Sequence, residues 1–384
     1  SNTADSHHRT HLWAPVAALA AYHRRPDWQW LARRLITHDW GLDGESLEYS
    51  LFYLIFYDPA VPAAPPAPEQ GIHLFSGLQQ LALRSDWSEE AVDALWLNGP
   101  SNCHHNHLHL NSFTVSAFRE RLLVEMGVFD YGDRFDLRRQ TAGHNSLLVN
   151  GMGQIVTTDE SVWCRRLRAG QWGTVFGEFR NLREEAGAVI ATGSTVNAYA
   201  GRLKGFDRTL AFIDRRFFFL HDHIELEGDP PADLEWLFHS GGTIERGDGG
   251  WCFSAGSARL DVIVLDPEDP GRSRIVMHSE LGYSTLKPRH EVPVESHPCL
   301  GIVRRCEGRT MDFYLALVPR RANEEWPVRL TVQPVVHVTP RYRPDEGIGP
   351  EGADRRTVAG VRIGAGPRSW DYDPVGRRLC WAAG

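Results

Sequence analysis

Between Ser101 and Phe113 the chain reads SNCHHNHLHLNSF, with His105, His107 and His109 at strict alternation. In an extended segment residues i, i+2 and i+4 share a face, so these imidazoles would line one surface while Leu108 and Leu110 point to the other. Imidazoles so placed can ligate a metal, transfer protons or form a polar strand face. Two elements with usable chemistry follow. Arg121–Gly132, RLLVEMGVFDYG, carries Glu125 and Tyr131, with Arg134 just beyond; Arg138–Gln154, RRQTAGHNSLLVNGMGQ, carries Arg138, Arg139 and His144. Further on, His221 and His223 alternate in FFFLHDHIEL, and His239 precedes two glycines in FHSGG. No carboxylate or third histidine is placed beside His221 and His223 by sequence, so structural histidines are the preferred reading there. His239 is a candidate for the border of a cleft.

The elements that must position these residues change character along the chain. Residues 1–57 carry apolar residues at three- and four-residue spacing in WAPVAALAAYH and WQWLARRLITH, which predicts two or three helices. Residues 58–71, DPAVPAAPPAPEQG, are too proline-rich for either regular structure and mark a linker. From 72 to 384 short β-rich runs separated by Gly, Asp, Asn and Pro predict stacked antiparallel sheets. The fold class expected is therefore mostly β (α+β overall), a stacked antiparallel β-sandwich preceded by a short α-helical segment.

Composition bounds the function. With 384 residues, 42% of them hydrophobic, the chain can bury a large core. A net charge of −8 argues against a general electrostatic grip on nucleic acid or an anionic membrane. No apolar run approaches a membrane span, and the start lacks the layout of a signal peptide. Ser1 and Asn2 read as residues left by cloning, so the native N-terminus is not visible. The six cysteines form no CxxC and are expected to be buried thiols. The cationic side chains are nearly all arginine, since Lys204 and Lys287 are the only lysines; arginine suits bidentate recognition of carboxylate or sulfate.

Taken together, HNHLHLNSF, RLLVEMGVFDYG and RRQTAGHNSLLVNGMGQ resemble the C-terminal domain of the heparinase II/III-like polysaccharide lyases, whose pattern runs HxHxDxxSF, a strand ending in Asp and Gly, then RxTxxHN. LALRSDWSEEAVDALWLNGP (81–100) and FDRTLAFIDRRFFFLHDHIE (206–225) extend the resemblance over most of Leu81 to His239. Two positions depart from it, with His109 at the motif's Asp and Glu125 at the strand-end Asp. The resemblance implies a structural Zn2+ held by His107, Glu125 and His144, with water or a fourth residue completing a tetrahedron. A hairpin turning at Arg119-Glu120-Arg121 would set Glu125 opposite Val115, with His107 about 25 Å further along a straight strand. The metal reading therefore requires the chain to double back near Asn111-Ser112. From spacing alone an exposed polar strand face is preferred; the resemblance reverses that preference.

The resemblance also implies a reaction, β-elimination at a uronic acid in an anionic polysaccharide such as a glycosaminoglycan or alginate. Elimination needs neutralisation of the uronate carboxylate, a base and an acid. His105 is the candidate for the neutralising role, shared with Arg138 or Arg139, while Tyr131 and Arg134 are candidates to line the cleft and His239 to bind substrate. The family's acid–base tyrosine lies on a helical toroid well before HxH, and Tyr22, Tyr49, Tyr53 and Tyr57 do not occupy its place. This chain is thus expected to be the sheet portion of such an enzyme with the end of its toroid, incomplete in catalytic residues and at work in the bacterial periplasm or outside the cell. Rival readings are a cupin-type metal enzyme, disfavoured because no Glu follows the HxH at the required spacing, a carbohydrate-binding sandwich using Trp163, Trp172, Trp236 or Tyr283, and a uronyl C5-epimerase.

Overall fold

The computed structural model describes residues 13–39, 46–99, 107–125, 140–154, 176–196, 198–199, 201–247, 250–265, 272–278, 297–324, 330–339, 355–365, 368–373 and 378–381. Three helices come first: α1 (Trp13–His23), α2 (Pro26–Asp39) and α3 (Ser46–Phe56). Pro26 opens α2 at a position where its missing N–H costs nothing, and Asp27 favours the helix N-terminus. α1 packs on both other helices, yet Leu51, Leu54, Ile55 and Phe56 of α3 stay exposed. The proline-rich run that follows is tied at both ends. Gln29 Nε2 donates to the Asp58 carbonyl at 2.8 Å, and Trp87 Nε1 to the Ala67 carbonyl at 3.0 Å.

The rest is antiparallel β structure. A meander of β1 (Ile72–Phe75), β2 (Gln80–Arg84), β3 (Asp93–Leu97), β4 (Ser112–Ala117) and β5 (Glu120–Leu123) forms a five-stranded sheet in sequence order. Next come β6 (Leu147–Val149), β7 (Phe176–Glu185), β8 (Ala188–Val196), β9 (Leu203–Ile213), β10 (Phe217–Leu226), β11 (Ala232–His239), β12 (Thr243–Gly247), β13 (Gly250–Ala255) and β14 (Ala258–Val264). They are followed by β15 (Arg272–His278), β16 (His297–Cys306), β17 (Thr310–Arg321), β18 (Leu330–Thr339), β19 (Arg355–Ala365), β20 (Arg368–Asp373) and β21 (Arg378–Trp381). An eight-stranded sheet in the order β12-β13-β14-β17-β10-β9-β8-β7 lies at the centre. A four-stranded sheet (β15-β16-β11-β6) and the five-stranded sheet share a core with one of its faces; β20 and β21 share a core with the other.

Three layers explain why β10 is apolar on both sides. Phe218, Leu220 and Ile224 enter the larger core, while Phe217 and Phe219 enter the smaller one with Trp370 and Tyr372. Both faces of this strand are covered, so hydrophobic alternation disappears from its sequence.

The β4–β5 hairpin turns at Phe118 and Arg119, not at the expected Arg119-Glu120-Arg121. Both residues have positive φ, 54° and 71°, the handedness that a tight two-residue hairpin requires. A register shift at Val115/Ser116 sets Val115 against Leu123, so Glu125, two residues further on, no longer falls opposite Val115.

Candidate metal centre

His107 and His109 precede β4, and the expected reversal of the chain is present. Ser112 N–H donates to the His109 carbonyl at 2.9 Å, and Asn111 takes φ of 59°, a left-handed conformation that Asn tolerates. The turn is held from several sides. Asn111 Nδ2 donates to the carbonyls of Gly193 (3.0 Å) and Phe206 (3.3 Å), while the Asn111 carbonyl accepts from Arg208 Nη1 at 2.6 Å. Gln154 closes the other side, accepting from Leu110 N–H at 3.1 Å and donating to the Leu110 carbonyl at 2.9 Å. At Gly193 any Cβ would collide with the Asn111 amide and the Trp96 ring, which explains glycine in the middle of β8.

Arg208 is fully buried yet well matched. Its Nε and Nη2 donate to the two Asp222 oxygens at 2.8 and 2.7 Å, Trp236 Nε1 donates to the same carboxylate at 2.8 Å, and Nη1 also reaches the Asn145 carbonyl at 2.9 Å. A buried charge pair persists only when both partners are hydrogen-bonded in this way.

The polar segment before β6 brings in the third imidazole. A short 3-10 turn, Thr141–Gly143, ends at His144. Asn145 then stitches three elements: its Nδ2 donates to the carbonyls of Phe113 (2.9 Å) and Val124 (2.8 Å), and its Oδ1 accepts from His239 N–H at 2.7 Å. The adjacent His and Asn therefore divide the work, one side chain entering the cluster and the other fixing the backbone around it.

His107, His109 and His144 are all buried, their ring centroids lie 5.2 to 6.0 Å apart, and one donor atom from each falls within 4.8 Å of the others. Glu125 is buried beside them, one carboxylate oxygen against His144 Nδ1 and the other accepting from Ser112 Oγ. Burial pushes the Glu125 carboxyl up to about 7, against the opposing pull of His109 and Ser112. Burial, reinforced by His144, pushes His109 down to about 3, so its imidazole is neutral with a lone pair to give. Buried His109 Nδ1 has no hydrogen-bond partner. An orphaned buried nitrogen costs stability, and three imidazoles beside a carboxylate form a donor set suited to zinc.

The expected ligands His107, Glu125 and His144 thus meet, and His109 joins them. The signal for His109 was its place in the alternation, although reading it as a departure from a pattern left it outside the set. Nothing in the local sequence pointed to the support from Arg208, Asp222 and Gln154. His239 does not border a cleft as expected: it is fully buried, with Nε2 donating to the Ala142 carbonyl at 3.1 Å and lying 3.5 Å from Cys299 Sγ. Its position in β11, between β6 and β16, puts it inside a sheet junction. Trp236 is likewise buried and cannot stack on a sugar. His105, Tyr131, Arg134, Arg138 and Arg139, like Trp163, Trp172 and Tyr283, lie outside the described residues. No helix among the described residues is long and apolar enough to cross a membrane.

Comparison with known proteins agrees with this architecture. A search of curated proteins finds no match. Among solved structures the chain is similar to heparan sulfate lyase HepC from Pedobacter heparinus in a mutant form, with TM-score 0.62 and 12% identity over 99% of this chain and 49% of that one. It is also similar to a heparinase III gene product (TM-score 0.65, 11% identity, 97% and 49% covered) and to a further heparinase III (TM-score 0.61, 13% identity, 96% and 50%). The chain spans about half the length of these structures. The family model described as "Heparinase II/III-like, C-terminal" matches residues 68–292, and the chain belongs to that family.

Proposed function

We propose that this chain is the sheet portion of a polysaccharide lyase that cleaves a uronic-acid-containing polysaccharide by β-elimination, and that a structural Zn2+ holds its His107 segment in place. The zinc ligands proposed are His107, Glu125 and His144, with His109 as the fourth. The observation that carries the metal reading is the convergence of three buried imidazoles around a buried carboxylate, with His109 Nδ1 left unpartnered. Four protein ligands make a closed site, and a closed site serves structure rather than catalysis. Zinc there would pin the turn at Leu110-Asn111 and so fix the path of the chain from His107 into β4.

Within the elimination we assign His105, with Arg138 or Arg139, to the uronate carboxylate, where a positive charge stabilises the enolate-like negative charge that develops. Tyr131 and Arg134 are assigned to the cleft. The lyase reading is supported by family membership and by the names of the similar structures; the exposed apolar side chains of α3 fit a larger helical unit carrying the remaining catalytic groups. Heparan sulfate, being the substrate named for one similar structure, is the first polymer to test. Plasma mass spectrometry should find zinc in the purified protein and one equivalent less of it in His107→Ala and His109→Ala. Metal-free wild type that melts like both variants would sink the metal reading. Incubation of the enzyme that carries its whole helical unit with heparan sulfate or alginate should yield an ultraviolet-absorbing C4–C5 double bond. Saturable binding without that product would favour a carbohydrate-binding sandwich, and solvent deuterium at C5 without it an epimerase.

A further inference from the structure

A second histidine pair lies on the opposite face of the central sheet, and the fold gives it the carboxylate that its local sequence lacks. His221 and His223 alternate along β10 on the side of the smaller core. On β17, His223 pairs in register with Asp312 and His221 with Tyr314. The Asp312 side chain therefore falls on the same face. Its Oδ1 lies 2.8 Å from His221 Nε2 and 2.9 Å from His223 Nδ1. One donor atom from each of the three residues lies within 4.8 Å of the others. On the other flank of β10, Asp207 of β9 stands in register with His223 and adds a carboxylate to the same face.

The surroundings are those of a held ligand rather than a loose surface pair. His221 is buried, its ring stacked on Tyr314 with centroids 4.7 Å apart, and its Nδ1 lies 2.9 Å from Tyr372 Oη of β20. Metal-ligating imidazoles characteristically use the second ring nitrogen for such an outer partner, which fixes ring orientation and tautomer. His223 and Asp312 have side chains 38% and 42% exposed, so a coordination position opens to solvent and the ion can exchange.

We propose that His221, His223 and Asp312 form a second divalent-metal site, selective for zinc-class ions, which water completes. Two imidazoles with one carboxylate favour zinc and its transition-metal neighbours over calcium or magnesium, which take oxygen ligands. Zinc bonds of about 2.0–2.2 Å need the three donors to part slightly around the ion, which the exposed Asp312 and His223 side chains allow. Because Tyr372 belongs to the last sheet, the ion would tie β10 and β17 to it.

The test is zinc binding by the whole chain, independent of the buried cluster. Chelator-stripped protein is dialysed against zinc and its bound metal counted by plasma mass spectrometry, with affinity from calorimetry. Wild type should bind two equivalents if the buried cluster also takes zinc, and one if it does not. In either case His223→Ala should remove one equivalent, Asp312→Asn should weaken the same site at least tenfold, and His109→Ala should leave it intact. Calcium should not compete. Equal zinc stoichiometry and affinity in wild type, His223→Ala and Asp312→Asn would overturn the proposal, whatever the buried cluster does.

Discussion

The two histidine clusters sit on opposite faces of one sheet and meet opposite conditions. In the buried cluster three imidazoles face one another with a carboxylate pushed towards neutrality, and burial rather than partnership sets its protonation. In the other, a half-exposed Asp312 accepts from both histidines, and those hydrogen bonds hold its carboxyl well below the usual range although burial pulls the other way. Similar residue types therefore make one site with a buried nitrogen left unpartnered and another whose donors are hydrogen-bonded to one another. The difference is access to water. A buried orphan nitrogen has nothing else to bind, whereas an exposed one exchanges protein partners for solvent at little cost.

The comparison can be broken most forcefully at the support of the buried site. Arg208→Met should cost about 3–5 kcal/mol in urea unfolding, because it strands Asp222 in the core and frees the Asn111 turn; a loss below 1 kcal/mol would mean that the turn is held by other means. Stripping zinc with a chelator should lower wild-type stability by up to about 4 kcal/mol where free zinc had exceeded its dissociation constant a thousandfold. In His109→Ala only the smaller loss from the outer site should remain, as thermal melting of both proteins would reveal. Asn145→Ala removes partners from His239 N–H and the Phe113 and Val124 carbonyls, and about 1–3 kcal/mol should go with them. On the exposed side the effects shrink. Tyr372→Phe should cost about 1 kcal/mol and reduce zinc affinity at His221 by about tenfold, both measurable by calorimetry. His223→Ala in zinc-free buffer should change stability by no more than about 0.5 kcal/mol; a larger loss would show that the outer cluster supports the fold without metal.

Some of this was legible beforehand because it is local. Alternation of His105, His107 and His109 put ligand chemistry on one short segment, and the polar Asn111-Ser112 pair marked where that segment had to turn. The adjacent His144 and Asn145 stood out as a unit, although only their separate bonds explain why both are needed. The hairpin was misplaced because Phe118 and Arg119 are not the glycine or asparagine that usually signal positive φ. His239 was misjudged because the two glycines after it suggested an open loop, whereas β6 and β16 flank β11 on both sides.

By itself the sequence determined the mostly antiparallel β architecture, the helical start and the proline run, which rest on residue type and short-range period, and its motifs pointed by resemblance to the family. Only the tertiary structure decided which groups meet: Arg208 reaching the Asn111 carbonyl across 97 positions, and Asp312 completing His223 across 89. Such contacts depend on strand order and register in a three-layer stack, and a register shift of one residue turns every side chain to the other face. That is why the donors could be named in advance, while the partners that make them a site could not.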